Sequence, residues 1–281
     1  MNDDLHIAVV GDGPPLVLLH GWAMHGGVFA TLVQRLRERH MLYVVDLPGH
    51  GSSRGDSTPL AFDGVCDALF ARVPVAPWLG WSLGGMFALH AAARAPERVP
   101  ALIAVCSSPC FVRGADWRYG VSPEIFRDFA RGLSDDYRAT LDRFVALEAF
   151  GSDRAKEEMR ELRTELFARG EPAARVLIDG LRILETADQR PLLQALRVPS
   201  LWIAGRRDRL VDPRAMREAV AAIERAGHAP AAFVQIEHAG HAPFLTHVDD
   251  MLAPLEAFLI DAARSEAALA EAVPVAAMGA Q

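Results

Sequence analysis

Short apolar runs and longer amphipathic runs alternate along most of this chain. Strand-like apolar runs occur at Leu5–Val10, Leu16–His20, Leu42–Asp46, Val75–Trp81, Ala101–Cys106, Ser200–Ala204 and Ala232–Ile236. Between most of them lie segments of helix length: Val28–Arg39, Leu60–Arg72, Leu83–Arg94 and Arg214–Arg225. Apolar strands separated by helices predict a mostly parallel sheet covered on both faces. The first two runs are joined by Gly11-Asp12-Gly13-Pro14, a turn composition that predicts an antiparallel hairpin at the sheet's edge.

The alternation breaks from Phe111 to about Pro191. Here Leu133, Tyr137, Leu141, Phe144 and Val145 follow helical spacing, and Arg154–Arg169 reads as a second helix of mixed charge. The pattern predicts one α/β core made of residues 1–110 and 191–261, with an all-helical cap, 111–190, inserted between its halves. An insertion after a strand's C-terminal end overlies the crevice where open α/β sheets bind ligands, so the cap is a candidate lid. Residues 262–281 are rich in alanine and have little to bury, which predicts a frayed helix or a flexible tail.

Composition narrows the class. With 51% hydrophobic and 23% charged residues in 281, the chain reads as an ordinary globular protein rather than a disordered one. A net charge of −7 argues against nucleic acid as a partner, because neutralising phosphates needs a basic surface. No run of 18 apolar residues predicts a membrane span, and the acidic start Met1-Asn2-Asp3-Asp4 lacks the basic and apolar regions of a signal peptide. A cytoplasmic location is expected. Cys66, Cys106 and Cys110 form no disulfide framework, and the C-x-x-x-C pair has no second Cys or His pair beside it. Buried, reduced thiols and no metal are the expectation.

Chemistry enters at Gly80-Trp81-Ser82-Leu83-Gly84, which fits G-x-S-x-G between a strand-like and a helix-like run. A sharp strand-to-helix turn of that kind lifts a serine out of the sheet, toward amides that favour developing negative charge. A serine hydroxyl needs a base, and the base needs a partner that fixes its tautomer. In this arrangement the chain order is Ser, then Asp or Glu, then His. Asp208 follows the run Ser200–Ala204, and His241 follows the last strand run, so both lie on loops at the same sheet edge as Ser82. His238, Asp212 and Asp188 are rivals. His238 abuts the strand end, Asp212 precedes Pro213 and a helix as an N-cap would, and Asp188 belongs to the end of the cap. An oxyanion hole is expected from the Leu83 amide and from that of Trp22, which follows Leu18-Leu19-His20-Gly21.

These residues carry a resemblance. His20-Gly21-Trp22, Asp46-Leu47-Pro48-Gly49-His50-Gly51-Ser52-Ser53, Gly80-Trp81-Ser82-Leu83-Gly84-Gly85 and His241-Ala242-Pro243-Phe244 together resemble the α/β-hydrolase superfamily over about residues 5–260. Pro96-Glu97-Arg98-Val99, Ser107-Ser108-Pro109-Cys110-Phe111 and Arg143-Phe144-Val145-Ala146-Leu147 are similar to its pimeloyl-[acyl-carrier protein] methyl ester esterases of biotin synthesis. The resemblance implies an α/β-hydrolase fold, a serine carboxylesterase without a cofactor, and an acyl-carrier protein as partner. It implies substrate contacts at Trp22, Ser82, Leu83, Phe144, Val145, Ala146, Leu147, Glu148 and His241. It also implies basic cap residues that hold the carrier, and a monomer is expected. Lys156, Arg160 and Arg163 fall on one helical stripe, and Arg138 and Arg143 precede them; a solvated helix face laced with ion pairs would look the same. The same site residues also suit a broad esterase or lactonase for small free esters. A dehalogenase or epoxide hydrolase would place an aspartate where Ser82 stands, and a non-catalytic scaffold of this type would lack a triad member.

Overall fold

The computed structural model describes residues 5–272. Seven strands form one sheet: β1 (Ile7–Val10), β2 (Pro15–Leu19), β3 (Met41–Val45), β4 (Trp78–Trp81), β5 (Leu102–Val105), β6 (Ser200–Gly205) and β7 (Ala231–Ile236). Their order is β1-β3-β2-β4-β5-β6-β7. Every pairing is parallel except that of β1 with β3. Every residue of β4, β5 and β6 is buried. Successive strand side chains point to opposite faces, so total burial means that both faces are covered.

The edge of the sheet corrects one expectation. β1 and β2 do not form a hairpin: β3 lies between them and pairs with both, Val10 opposite Leu42 and Leu16 opposite Leu42 from the other side. Gly11 and Gly13 take φ of +95° and +114°, and the loop they build crosses the entry to β3. Asp12 N–H donates to the Arg37 carbonyl, and Met41 N–H to that of Pro14. A Cβ on either glycine would collide with backbone of the Arg37–His40 segment. The turn composition is genuine, but it serves a crossing rather than a two-strand reversal. The more exposed β1 takes the edge, and the apolar β3 is paired on both sides.

Helices α1 (Ala30–Leu36), α2 (Phe62–Phe70) and α3 (Leu83–Arg94) follow β2, β3 and β4. Between β5 and β6 come α4 (Pro123–Asp135), α5 (Tyr137–Ala149), α6 (Ala155–Leu166), α7 (Ala174–Thr186) and the short α8 (Arg190–Ala195). α9 (Pro213–Ala226) follows β6, and α10 (Pro243–Thr246) and α11 (Val248–Ala272) close the chain. α3 packs on β4 and β5, and α9 on β6 and β7; α11 also packs on β6 and β7 and, through α10, reaches α1. The alanine-rich stretch begins as the last turns of α11, and residues 273–281 lie outside the described residues. Among the described residues no helix is long and apolar enough to cross a membrane.

The run from Leu133 to Val145 is two helices rather than one. Asp136 leaves helical geometry at φ −148°, ψ 93°, and its carboxylate caps α5 by accepting the Ala139 N–H at 3.0 Å. Helices α4 to α7 pack mainly on one another, and polar contacts tie them to the rest of the fold. Asp46, at the end of β3, is fully buried and accepts from the amides of Gly26 and Ser52, both at 2.7 Å. Arg169, just beyond α6, donates to both Asp46 oxygens at 3.0 Å. Burial alone would raise the Asp46 carboxyl, but the group is held below the usual carboxylate range, with the Ser52 and Gly26 amides and the Arg169 guanidinium among the partners that lower it. Nearby, His25 Nε2 bonds the Glu165 carbonyl of α6 at 2.7 Å.

Two buried imidazoles beside this clamp predict a pH response. Burial lowers His20, and it pushes His50 down to about 4. Both rings are neutral in the folded protein at a pH where the unfolded chain has begun to protonate them. The unfolded state therefore binds more protons as pH falls from about 6.5, and each ring contributes a loss of up to about 1.4 kcal/mol per pH unit. Urea midpoints should fall as pH drops from 6.5 toward 4, and the slope should be shallower for His50→Gln. Equal slopes in the two proteins would exclude His50 as a source of the acid lability.

Candidate active site

Ser82 stands between β4 and α3 at φ 54°, ψ −119°, a left-handed conformation that costs a residue with a Cβ of order 1–3 kcal/mol. Its neighbours allow it. Ser82 N–H donates to the Val105 carbonyl at 3.0 Å, and the Ser82 carbonyl accepts from Ser107 Oγ at 2.7 Å and from Gly85 N–H at 3.0 Å. A Cβ on Gly80 would overlap the Gly84 backbone, and one on Gly84 would overlap the carbonyls of Leu19 and His20. The helix thus starts against the ends of β2 and β4. That contact is what sets the serine at the C-terminal edge of the sheet.

At the same edge, the β6–α9 and β7–α10 loops bring Asp208 and His241 together. His241 Nδ1 donates to Asp208 Oδ2 at 2.7 Å, and both side chains are closed to solvent. Asp208 Oδ1 accepts the amides of Leu210 and Val211 at 2.8 and 3.0 Å, which fix the carboxylate from the other side. With Nδ1 as donor, Nε2 is the ring's acceptor nitrogen; it is buried and has no hydrogen-bond partner among the described residues. Trp81 seats the loop: its indole N–H donates to the His241 carbonyl at 2.8 Å, and the two rings lie 5.6 Å apart. Cys106 at the end of β5 lies with Asp208 and His241, their ligand-type atoms all within 4.8 Å of one another. Burial first and Asp208 second push its thiol well up, so it remains protonated, whereas metals take the thiolate.

The rival residues lie elsewhere. Asp212 caps α9 through the Arg214 N–H at 2.9 Å and also pairs with the Arg214 guanidinium. His238 is exposed beside Arg207 and Asp153. Asp188 forks with Arg190. All three cysteines are free and buried.

Gly21 lies against Ser82: a Cβ there would come within 3.2 Å of the Ser82 Cβ. The next peptide group, Gly21–Trp22, is held by a residue to which the sequence motif gives no separate role. His20 Nε2 accepts the Leu47 N–H at 2.9 Å, which makes Nδ1 the donor to the Gly21 carbonyl at 2.7 Å. That carbonyl and the Trp22 N–H belong to one rigid plane, so a neutral His20 orients the amide expected to face an oxyanion.

Helices α5 and α7 reach these groups. The Trp22 indole N–H donates to the Leu177 carbonyl of α7 at 2.8 Å, and Phe144 of α5 meets its ring at 4.5 Å. Phe129 of α4 completes the cluster, 5.3 Å from Phe144; only the packing of α4 on α5 reveals it. A Cβ on Gly180 would press on Trp22 and reach Leu83 at 3.4 Å, so α7 rides directly over both residues. Val145 is buried, Ala146 and Leu147 are half-buried, and Glu148 is fully buried. The Glu148 carbonyl accepts the His241 N–H at 3.4 Å.

Arg138, Arg143, Lys156 and Arg160 are all exposed. Their pairing differs in a way the helical stripe does not reveal. Arg138 pairs with Glu171, and Arg163 forks onto Asp142 of α5. Among the described residues Arg143 has one hydrogen-bond partner, the Thr140 hydroxyl at 3.3 Å.

Comparison with known proteins speaks to the family and the fold. The family model for the α/β hydrolase fold matches residues 14–248. The pimeloyl-[acyl-carrier protein] methyl ester esterase of Xanthomonas campestris pv. campestris (strain B100) is 54% identical over 255 residues, covering 91% of this chain and 98% of its own. The protein of the same name from Stenotrophomonas maltophilia (strain R551-3) is 53% identical over 255 residues, covering 91% and 96%. Among solved structures, an esterase from Exiguobacterium antarcticum superposes with a TM-score of 0.78 at 20% identity, covering 91% of this chain and 95% of its own. The enol-lactonase of Burkholderia xenovorans LB400 does so with 0.77 at 20%, covering 91% and 96%. At that identity the structures speak for the fold alone, while the sequence relatives speak for closer kinship. The chain belongs to the α/β-hydrolase family, on the branch that holds the pimeloyl-[acyl-carrier protein] methyl ester esterases.

Proposed function

We propose that this protein is a serine carboxylesterase that hydrolyses the methyl ester of a pimeloyl chain carried on acyl-carrier protein, as part of biotin synthesis. The observation that carries the reading is the buried His241–Asp208 pair at the sheet edge where Ser82 is held in its left-handed turn. The names of the relatives at 53–54% identity support the substrate. The segment 111–190 acts as the cap, whose Trp22-facing wall receives the acyl chain.

In the mechanism, Ser82 Oγ attacks the ester carbonyl while His241 Nε2 takes its proton. Asp208 keeps Nδ1 protonated and stabilises the imidazolium that forms. Negative charge on the carbonyl oxygen falls to the amides of Leu83 and Trp22, in a region from which the cap excludes water. Collapse breaks the C–O bond to the methoxy group, which leaves as methanol with the proton from His241. Water then attacks the acyl-enzyme with His241 again as base. The carboxylic acid is released and Ser82 regains its proton. Every group needed is a side chain or an amide of this chain.

Two experiments test the reading. Ser82→Ala should fold normally and lose roughly 10⁴–10⁶ in kcat, and Asp208→Asn should lose about 10⁴, because the wrong imidazole tautomer is then favoured. Asp212→Asn should leave the rate near that of the parent. Retained turnover in Ser82→Ala, or a larger loss at Asp212 than at Asp208, would break the assignment.

The carrier is recognised by charge on the cap, at Arg138, Arg143, Lys156 and Arg160. Replacing Arg143, Lys156 and Arg160 together with alanine should reduce kcat/KM on the carrier-bound methyl ester by about tenfold or more. Turnover of a small free methyl ester should hold. Added salt should reproduce part of the loss in the parent, since exposed charges are screened over about 10 Å at 0.1 M. A parent enzyme that shows no preference for the carrier-bound ester would favour instead a broad esterase of small free esters.

A further inference from the structure

Glu148 lies one position before the end of α5, and no part of it is exposed. Neither of its carboxyl oxygens has a hydrogen-bond partner among the described residues. Glu158, the other fully buried glutamate of the cap, shows the ordinary solution: its Oε1 accepts from the hydroxyls of Ser152 and Thr246. Glu148 has no such partner. Yet its own carbonyl touches the His241 amide, so it stands against the loop that carries the proposed base.

The titratable surroundings are definite. From the β6–α9 loop comes Asp208, the charged group that acts on Glu148. Beside Asp208 lies the protonated Cys106 thiol, one residue past β5, which also senses Glu158. From the β7–α10 loop comes His241, whose Nδ1 is already committed to Asp208. Burial first and Asp208 second push the Glu148 carboxyl well above its ordinary 4.5. An acid buried without a cation, next to a like charge, keeps its proton rather than bear the cost of an isolated buried carboxylate.

A protonated carboxyl offers one O–H donor and spare acceptor capacity. Leaving such groups unpaired in an interior is unfavourable, and buried polar atoms without partners call for a reason. Glu148 is four residues beyond Phe144, so the two share a face of α5, and Phe144 already packs on Trp22. That face is a wall of the proposed acyl site. The carbonyl under attack is served by the amides of Leu83 and Trp22, which leaves any other oxygen of the chain in need of a donor.

We propose that Glu148 is an un-ionised carboxylic acid that donates a hydrogen bond to a second carbonyl oxygen of the bound acyl chain, and so selects a neutral chain bearing such an oxygen over a plain hydrocarbon chain. The inference rests on the esterase reading above. It assigns a specificity role and a protonation state to one residue of that site. Once ionised, the group can no longer donate, and it adds a negative charge beside Asp208.

The test uses the full-length protein and three methyl esters of one chain length: dimethyl pimelate, methyl heptanoate and monomethyl pimelate. The parent should favour dimethyl pimelate over methyl heptanoate in kcat/KM by about tenfold, mostly through KM, and should disfavour the anionic monoester. Glu148→Gln, whose amide still donates, should keep that ratio within about threefold. Glu148→Met should bring it close to one. At alkaline pH the parent should lose the preference while Glu148→Gln retains it. Infrared difference spectra should show a protonated carboxyl band in the parent that Glu148→Gln lacks.

Folding does not confound the comparison. Above about pH 4.5 the unfolded chain gives up a proton that the folded protein keeps, so this group's contribution to stability falls as pH rises toward its folded value. Both variants should therefore melt no lower than the parent at pH 8. An unchanged ratio in Glu148→Met, an alkaline loss shared by Glu148→Gln, or no band assignable to Glu148 would each overturn the inference while leaving the esterase reading intact. Absence of Ser82-dependent turnover of all three esters would overturn both.

Discussion

The start of α3 lies so close to the ends of β2 and β4 that a single methyl group at Gly80 or Gly84 would overlap backbone. Much of the architecture depends on that approach. It forces Ser82 into a left-handed turn, and the Val105 carbonyl, the Ser107 hydroxyl and the Gly85 amide hold it there. It also brings α3's first amides to the edge of the sheet where the loops after β2, β6 and β7 end. A parallel sheet gathers those loops at one edge because every strand from β3 to β7 runs the same way. Convergence of Ser82, Asp208 and His241 at that edge is thus a property of topology first and of side chains second.

Polar contacts join the helices between β5 and β6 to this frame. Trp22 joins α7 through its indole N–H, and Arg169 joins the loop after α6 to the carboxylate of Asp46. Asp46 is a buried charge, and a buried charge needs partners to remain ionised. It has them on both sides: amides from the core and a guanidinium from the cap. The same region carries neutral His20, which orients the Trp22 peptide. The partners of Asp46 and the His20 contacts therefore sit side by side, because Asp46 is followed in the chain by Leu47, whose amide His20 accepts.

Much of this was readable in the amino-acid sequence because strands and elbow are local patterns. All seven apolar runs are strands, and the G-x-S-x-G turn sits between β4 and α3. What failed was relational. Gly11-Asp12-Gly13-Pro14 signals a turn, but no local signal says that β3 will occupy the lane between β1 and β2. Helical spacing from Leu133 to Val145 survives a break at Asp136, because a cap can restart a helix with its apolar face unchanged. The basic stripe of α6 does not disclose that Arg163 is taken by Asp142 while Lys156 and Arg160 stay exposed. Phe129 and the isolation of Glu148 appear only when α4 and α5 pack against each other and over the sheet.

Electrostatics then divides the acids of the site by their surroundings. Asp208 receives two amides and an imidazole N–H, so its oxygens are partnered from both sides. Cys106 and Glu148, close to it, receive burial and its negative charge, the two influences that suppress ionisation. On the proposed mechanism one anion faces one base, and the imidazolium formed in each half-reaction finds a single, fixed counter-charge. A second carboxylate there would leave a buried negative charge without a partner whenever the ring is neutral. Keeping the neighbouring acids neutral is therefore as much a requirement of the chemistry as keeping Asp208 charged.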